Sequence, residues 1–281
     1  MNLIELLKRQ ERLREDYWKN VDYFLPVRLK WRAQMVRHLF HLLPGNSLLD
    51  LGSGSCQWTR EISAANGNRN PICAAIFNKE MYEGNQHGSF PENIERIHLE
   101  NFSGKLSERR FDFIVGYQLL TDENAGMLFS ELKGLLKPGG QILLFDPNPW
   151  NPYQKVKRLF SKLFFFFKRA KKFQNFNRFD LSSLLSEIGY IKIKILPYDF
   201  LFPPLPKILL WPMQNLSLIL ENFPYVRNFA GSLFIWAQKP AEENWKRSMS
   251  SLALHDCFKG RLSVVVPSRN EEQNILPLIK N

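Results

Sequence analysis

The chain has 281 residues, 44% hydrophobic and 23% charged, the balance of a globular protein with one large domain or two small ones. Three widely spaced cysteines (Cys56, Cys73, Cys257) fit no metal template and suggest a reducing compartment, and no run of about 20 apolar residues offers a spanning helix. The formal charge of +11 is uneven: no acid lies between Asp146 and Asp180, where nine bases stand, so local rather than protein-wide affinity for anions is implied.

Residues 2–20 have helical spacing, with Leu3, Leu6, Leu7 and Leu13 on one side, and the mixed charges up to Asp16 do not read as a signal peptide. A second helical run, 27–43, stops at Pro44-Gly45. Next comes Ser47–Trp58, SLLDLGSGSCQW: two leucines lead into Asp50, Gly52 and Gly54 alternate with small residues, and a helix follows over 57–65. Strand, glycine turn and helix form the opening unit of a doubly wound sheet, whose ligands bind at the carboxyl ends of the strands. A dinucleotide fingerprint would need glycine at Gln57. Asp50-Leu51-Gly52-Ser53-Gly54-Ser55-Cys56 instead resembles the D/E-x-G-x-G-x-G motif of class I S-adenosylmethionine (SAM)-dependent methyltransferases, with Cys56 at the third glycine.

Ile72–Phe77 reads as a buried second strand and Ile94–Leu99 as a third. Phe111-Asp112-Phe113-Ile114-Val115 resembles the family's fourth strand, and Leu135–Gly140 its "LKPGG" turn before the fifth strand, Gln141–Phe145. A helix over 179–189 and strands 190–196 and 232–237 agree with the family's antiparallel closing hairpin. The expected fold is a Rossmann-like α/β sheet of about seven mostly parallel strands with N-terminal helices.

The resemblance implies SAM as cofactor, no metal, and methyl transfer to an oxygen or nitrogen. It places Asp50, Gly52, Ser53 and Gly54 against the methionine part and Phe77, Asn78, Glu100 and Asn101 around the adenosine. Tyr117 and Gln118 would lie beside the methyl-bearing sulfur. The chain departs from the family at the end of the second strand, where an acid usually binds both ribose hydroxyls; here stand Ile76, Phe77 and Asn78. The rival reading is a catalytically degenerate SAM-fold module that anchors the fused glycosyltransferase to the membrane surface, favoured if side chains fill the hollow at Gly52 and Gly54. Glu100 also suits a solvated loop.

The substrate candidates are Tyr17, Gln118, Asp146, Asn148 and Trp150, with no catalytic base named. Tyr17, Trp18 and Tyr23 would line a lid formed by residues 1–44, or simply pack onto the sheet. Asp146 and Asn148, in a proline-stiffened loop after the fifth strand, suit substrate orientation and helix capping equally.

Residues 154–172 carry Val156, Leu159, Phe160, Leu163, Phe164 and Phe167 on one helical stripe and eight bases elsewhere, among them Lys168 and Arg169. That pattern suits an anionic membrane surface, a lid packed on the core, or nucleic acid, and bunched aromatics suit the last least. The insertion 197–227 is too rich in proline to span a bilayer and too apolar to lie freely in water. Residues 241–260 resemble a linker. Val264-Val265-Val266-Pro267-Ser268-Arg269-Asn270-Glu271-Glu272 resembles the first strand and turn of family 2 glycosyltransferases, so 261–281 reads as the start of a truncated glycosyltransferase domain in cis. The combined expectation is a methyltransferase domain over 45–240 in a fusion, acting on a small-molecule, glycan or lipid-linked acceptor, cytoplasmic and peripheral on the cytoplasmic membrane face. An RNA methyltransferase is a further alternative.

Overall fold

The computed structural model describes residues 3–20, 25–84, 90–100, 102, 106, 108–152, 178–201 and 207–241. Asn101, Tyr23, the stretch 154–172 with Phe160, Phe164, Phe167, Lys168 and Arg169, and the linker and glycosyltransferase-like residues 242–281 lie outside the described residues. Met1–Ala241 forms one compact unit.

The parallel strands are short apolar runs, as burial on both faces requires. β1 (Leu48–Leu51), β2 (Ile72–Ile76), β3 (Ile94–His98), β4 (Phe111–Tyr117) and β5 (Leu136–Pro147) all run parallel, and β6 (Ile191–Tyr198) and β7 (Ser232–Gln238) close the sheet as an antiparallel pair. The order β3-β2-β1-β4-β5-β7-β6 is the expected seven-stranded Rossmann-like sheet. One difference is local. The expected turn at Leu135–Gly140 belongs to β5 itself, as an irregularity between the pairs Phe111–Leu136 and Phe113–Gln141. Gly139 has φ +77, and a Cβ on Gly140 would stand 2.9 Å from Lys137 O, so the paired glycines let the chain fold tightly without leaving the sheet.

Two apolar layers flank the sheet. On one side α2 (Leu25–Phe40) and α3 (Gln57–Ala65) pack Leu29, Val36, Trp58 and Ile62 against Leu48, Ala74, Val115 and Leu143. On the other, α5 (Ala125–Leu135) and α6 (Arg178–Ile188) pack Leu128, Leu132, Leu181 and Leu185 against Leu49, Ala75, Ile114 and Ile142. A short α4 (Lys79–Gly84) follows β2. Helix α1 (Leu3–Asn20) belongs to both layers, since Leu3, Ile4 and Leu7 join the second cluster and Trp18 the first. It therefore crosses the sheet at one edge, and its polar side chains reach the carboxyl ends of β1, β2 and β4.

Between β6 and β7 the chain forms a 3-10 turn (Lys207–Leu209), α7 (Leu210–Glu221) and α8 (Pro224–Arg227). Pro212 lies in the first turn of α7, where a helix tolerates the missing N–H. Because β6 runs with β5 and β7 against it, this insertion leaves and rejoins the sheet at the same carboxyl edge.

Candidate cofactor site at the carboxyl edge

The turn after β1 needs left-handed backbone at three positions: Gly52 (φ +69), Gly54 (φ +53) and Cys56 (φ +57). Cys56 thus takes the conformation for which the motif's third glycine is suited, and an L residue adopts it at a cost of roughly 1–2 kcal/mol. Its thiol is buried, lies 3.7 Å from Ser53 Oγ, and burial pushes it up to about 11, so it is no nucleophile. Asp50 is 1% exposed and accepts a 2.5 Å hydrogen bond from Thr59 Oγ1 on α3. Desolvation raises its carboxyl to about 7, against the lowering effects of Thr59 and Arg14.

The hollow beside this turn is filled, and the filling comes from α1. Glu11 accepts hydrogen bonds from the backbone N–H of Gly54 (3.0 Å), Phe77 (3.1 Å) and Asn78 (2.8 Å) and from Asn78 Nδ2 (2.9 Å). A Cβ added to Gly54 would run into the Glu15 carboxylate and the Arg14 guanidinium. Arg14 pairs with Glu15 at 3.0 Å and donates to Tyr117 O at 3.1 Å. Three buried carboxylates, Glu11, Glu15 and Asp50, thus share the field of one guanidinium, and desolvation raises Glu11 as well. None of the three α1 residues carries a motif. The only hint in the sequence is their place on a helix whose apolar side faces the sheet.

The other expected cofactor residues separate. Ser53 lies in the turn, its N–H bonded to Ala75 O at 3.0 Å. Phe77 is fully buried and its ring stands against Gly52, so a Cβ there would meet it at 3.3 Å. Asn78 keeps one buried acceptor, Oδ1, with no partner. Glu100 is 77% exposed and pairs with His98 at 3.4 Å, in keeping with the solvated-loop alternative. Tyr117 meets the site through its carbonyl; its ring turns into the core, edge-on to Trp18 at 5.1 Å and Trp58 at 5.9 Å, so its side chain does not face the cofactor turn.

Among the substrate candidates, Gln118 sits in left-handed backbone (φ +51) at the end of β4, and its N–H donates to Phe145 O at 2.7 Å. Asp146 is buried and accepts from Leu120 N at 3.1 Å. Asn148 is a staple: Nδ2 donates to Asn228 O and Ala230 O, and Oδ1 accepts from Trp150 N. The structure removes it from the substrate list, because its amide is spent on the turn that precedes β7. Trp150 is 45% exposed and Tyr17 half-buried. A second group escaped the sequence reading: Arg28 and Arg32 of α2 bind Asp199 at 3.0 and 3.1 Å, and the Arg32 guanidinium stacks 4.3 Å over Tyr117. Among the described residues no cluster of His, Cys, Asp and Glu suits a metal ion.

The charges and acceptors at the turn suit SAM, although Glu11, Arg14 and Glu15 fill its hollow in this conformation, the observation that favours the degenerate reading. Asn78 Oδ1 is an unused acceptor for a ribose hydroxyl, and the surplus of buried carboxylates suits a ligand with ammonium and sulfonium charges. The chain is 26% identical over 183 residues to a demethylmenaquinone methyltransferase of Staphylococcus haemolyticus, covering 59% of this chain and 76% of that one. A second, from Staphylococcus saprophyticus, is 26% identical over 139 residues, 49% of this chain and 58% of its own length. Among solved structures, a SAM-dependent methyltransferase from Thermotoga maritima shares the fold at TM-score 0.52 and 16% identity, with 84% and 99% of the two chains covered. Haemonchus contortus phosphoethanolamine N-methyltransferase 2, solved with SAM bound, does so at TM-score 0.50 and 17% identity, covering 75% and 53%. The family model described as ubiE/COQ5 methyltransferase matches residues 15–168, from inside α1 through β5, so the glycine turn lies at the heart of the match and the chain belongs to that family of SAM-dependent class I methyltransferases.

Proposed function

We propose that the protein methylates a small molecule with an apolar chain, drawn from a membrane surface. One observation carries this reading: the insertion between β6 and β7 presents an apolar face at the sheet edge that bears the cofactor turn. Ile208, Trp211, Leu218, Ile219, Phe223 and Tyr225 are all exposed, and no charged residue occurs from Ile208 to Leu220. A monomer in water rarely leaves so much contiguous apolar surface open. The described residues on either side of the basic stretch 154–172 both bond to the turn before β7. Asn151 Nδ2 donates to Phe229 O at 3.3 Å, and Arg178 Nη2 donates to Asn228 Oδ1 at 2.7 Å. Eight bases within 155–172 of the sequence suit an anionic leaflet. The relatives' name points the same way, since demethylmenaquinone is a quinone. The resemblance of 264–272 to family 2 glycosyltransferases keeps a lipid-linked sugar within the same acceptor class, with a glycosyltransferase domain in cis.

In this reading Asp50 holds the amino group of SAM, Gly52, Ser53 and Gly54 admit its methionine part, and Asn78 meets the ribose. Helix α1 covers the site, while α2 packs on the sheet. SAM supplies an already activated methyl group. The protein's share is to hold the acceptor in line and exclude water, with Gln118, Trp150 and Tyr17 nearest the acceptor. Labelled SAM offered with a prenylated quinol, the same quinol without its tail, a lipid-linked sugar and RNA, each with anionic vesicles, tests the reading. Transfer restricted to a tailed acceptor supports it; transfer to RNA or to the tail-free quinol overturns it.

A further inference from the structure

The family's ribose-binding acid is missing from the end of β2, yet a carboxylate is there, brought by another element. The Glu11 carboxylate lies between the glycine turn and the β2 terminus and takes four N–H donors from Gly54, Phe77 and Asn78. A carboxylate has about four acceptor positions, so none is left for a ribose diol. It is also fully buried, with Arg14 and Glu15 seated over Gly54 beside it. Glu11 therefore occupies the cofactor's place instead of extending it. We propose that Glu11 is an internal competitor of SAM: its carboxylate holds the strand-end N–H groups in the free protein, and SAM binds by displacing it.

The proposal rests on SAM being the ligand of this turn and is independent of the acceptor. The seat is strong in hydrogen bonds and costly in charge, because burial raises the Glu11 carboxyl, with Arg14 the cation that opposes this. A ligand that brings its own positive charge to Asp50 and hydroxyls to Asn78 Oδ1 can exchange with it. Helix α1 stays anchored by Leu7 on one face of the sheet and Trp18 on the other, so displacement needs no unfolding. The competitor then sets the fraction of molecules able to bind, and apparent affinity falls by that fraction.

Full-length wild type, Glu11→Gln and Glu11→Asp are titrated with SAM by calorimetry without any acceptor, and amide exchange is followed at Gly54, Phe77 and Asn78. Gln turns an N–H₂ toward N–H donors, and Asp is a methylene too short. Both variants are expected to bind SAM about tenfold more tightly. The three amides should be protected in ligand-free wild type, exposed in ligand-free variants and protected again with SAM. Weaker binding by the variants would make Glu11 a direct ribose ligand and overturn the proposal. Unchanged affinity, amides unprotected in wild type, or no binding by any form at millimolar SAM would overturn it too.

Discussion

Arg32 Nε on α2 donates a 2.6 Å hydrogen bond to the hydroxyl of Tyr198 at the end of β6, and both side chains are fully buried. Asp199 completes the group, its Oδ2 within 3.0 Å of Arg28 and 3.1 Å of Arg32, which ties α2 to the strand opening the apolar insertion. Tyr198→Phe leaves one buried donor unpaired, at a cost of about 1–3 kcal/mol. Asp199→Asn leaves two buried guanidinium groups without their counter-charge and should cost more, about 3–5 kcal/mol. Urea unfolding of both variants tests this ranking; equal losses would mean the charge is satisfied elsewhere.

The carboxyl of Asp50 sits at about 7 in the folded protein and near its ordinary value of 3.8 when unfolded. The native state therefore prefers the protonated form. Its contribution to stability is complete below the unfolded value and is lost as pH rises from about 4 through about 7, by about 1.4 kcal/mol per pH unit. Glu11, also raised by burial, acts with the same sign, while Arg14 and Thr59 oppose the shift of Asp50. Asp50→Asn should flatten the stability profile over this window and stabilise the ligand-free protein near pH 7. The same change should weaken SAM binding, because the amide cannot pair with an ammonium. Thermal melts across pH and one SAM titration check both; a variant as pH-dependent as wild type would place the titration on another group.

Most of the sheet could be read from the chain because its signals are local. Gly52 and Gly54 demand left-handed backbone, and Leu48–Leu51 is a short apolar run buried on both faces. The filling of the site was not legible, because Glu11 meets Gly54 and Asn78 across 43 and 67 residues of sequence and carries no spacing of its own. Asn148 misled for a related reason: its position after β5 is right, but its amide is spent on the backbone before β7. Arg32 carries no signal of its own in the sequence, and only the fold brings Tyr198, Asp199 and the Tyr117 ring around it.

Asn78→Asp would restore a family-like carboxylate at the end of β2, directly against Glu11, whose Oε2 now accepts from Asn78 Nδ2 at 2.9 Å. Two acids at that distance repel, so ligand-free stability should fall while affinity for SAM rises. In Glu11→Gln the repulsion is absent, and the second change should destabilise less. A double-mutant cycle with coupling of about 1 kcal/mol or more is expected. Additive effects would show that the two side chains do not compete for one place.

Trp211 is 75% exposed, Ile219 55% and Tyr225 86%, all within the insertion that emerges at the cofactor edge. On a bilayer surface their burial adds at about 25 cal/mol per Å², and a carboxylate in their place is repelled by anionic lipid. Trp211→Glu with Ile219→Glu should therefore lower flotation with anionic vesicles by about tenfold or more. Charge reversal of the bases at 155–172 should lower it by a separate, salt-sensitive amount. The Trp211 and Ile219 changes leave Asp50 and Asn78 in place, so the SAM affinity of that variant in solution should be unchanged. Methylation of a tailed acceptor in vesicles should fall with flotation, while methylation of the same acceptor in detergent should fall less. Equal flotation of wild type and the Trp211, Ile219 variant would show that the apolar face serves another partner.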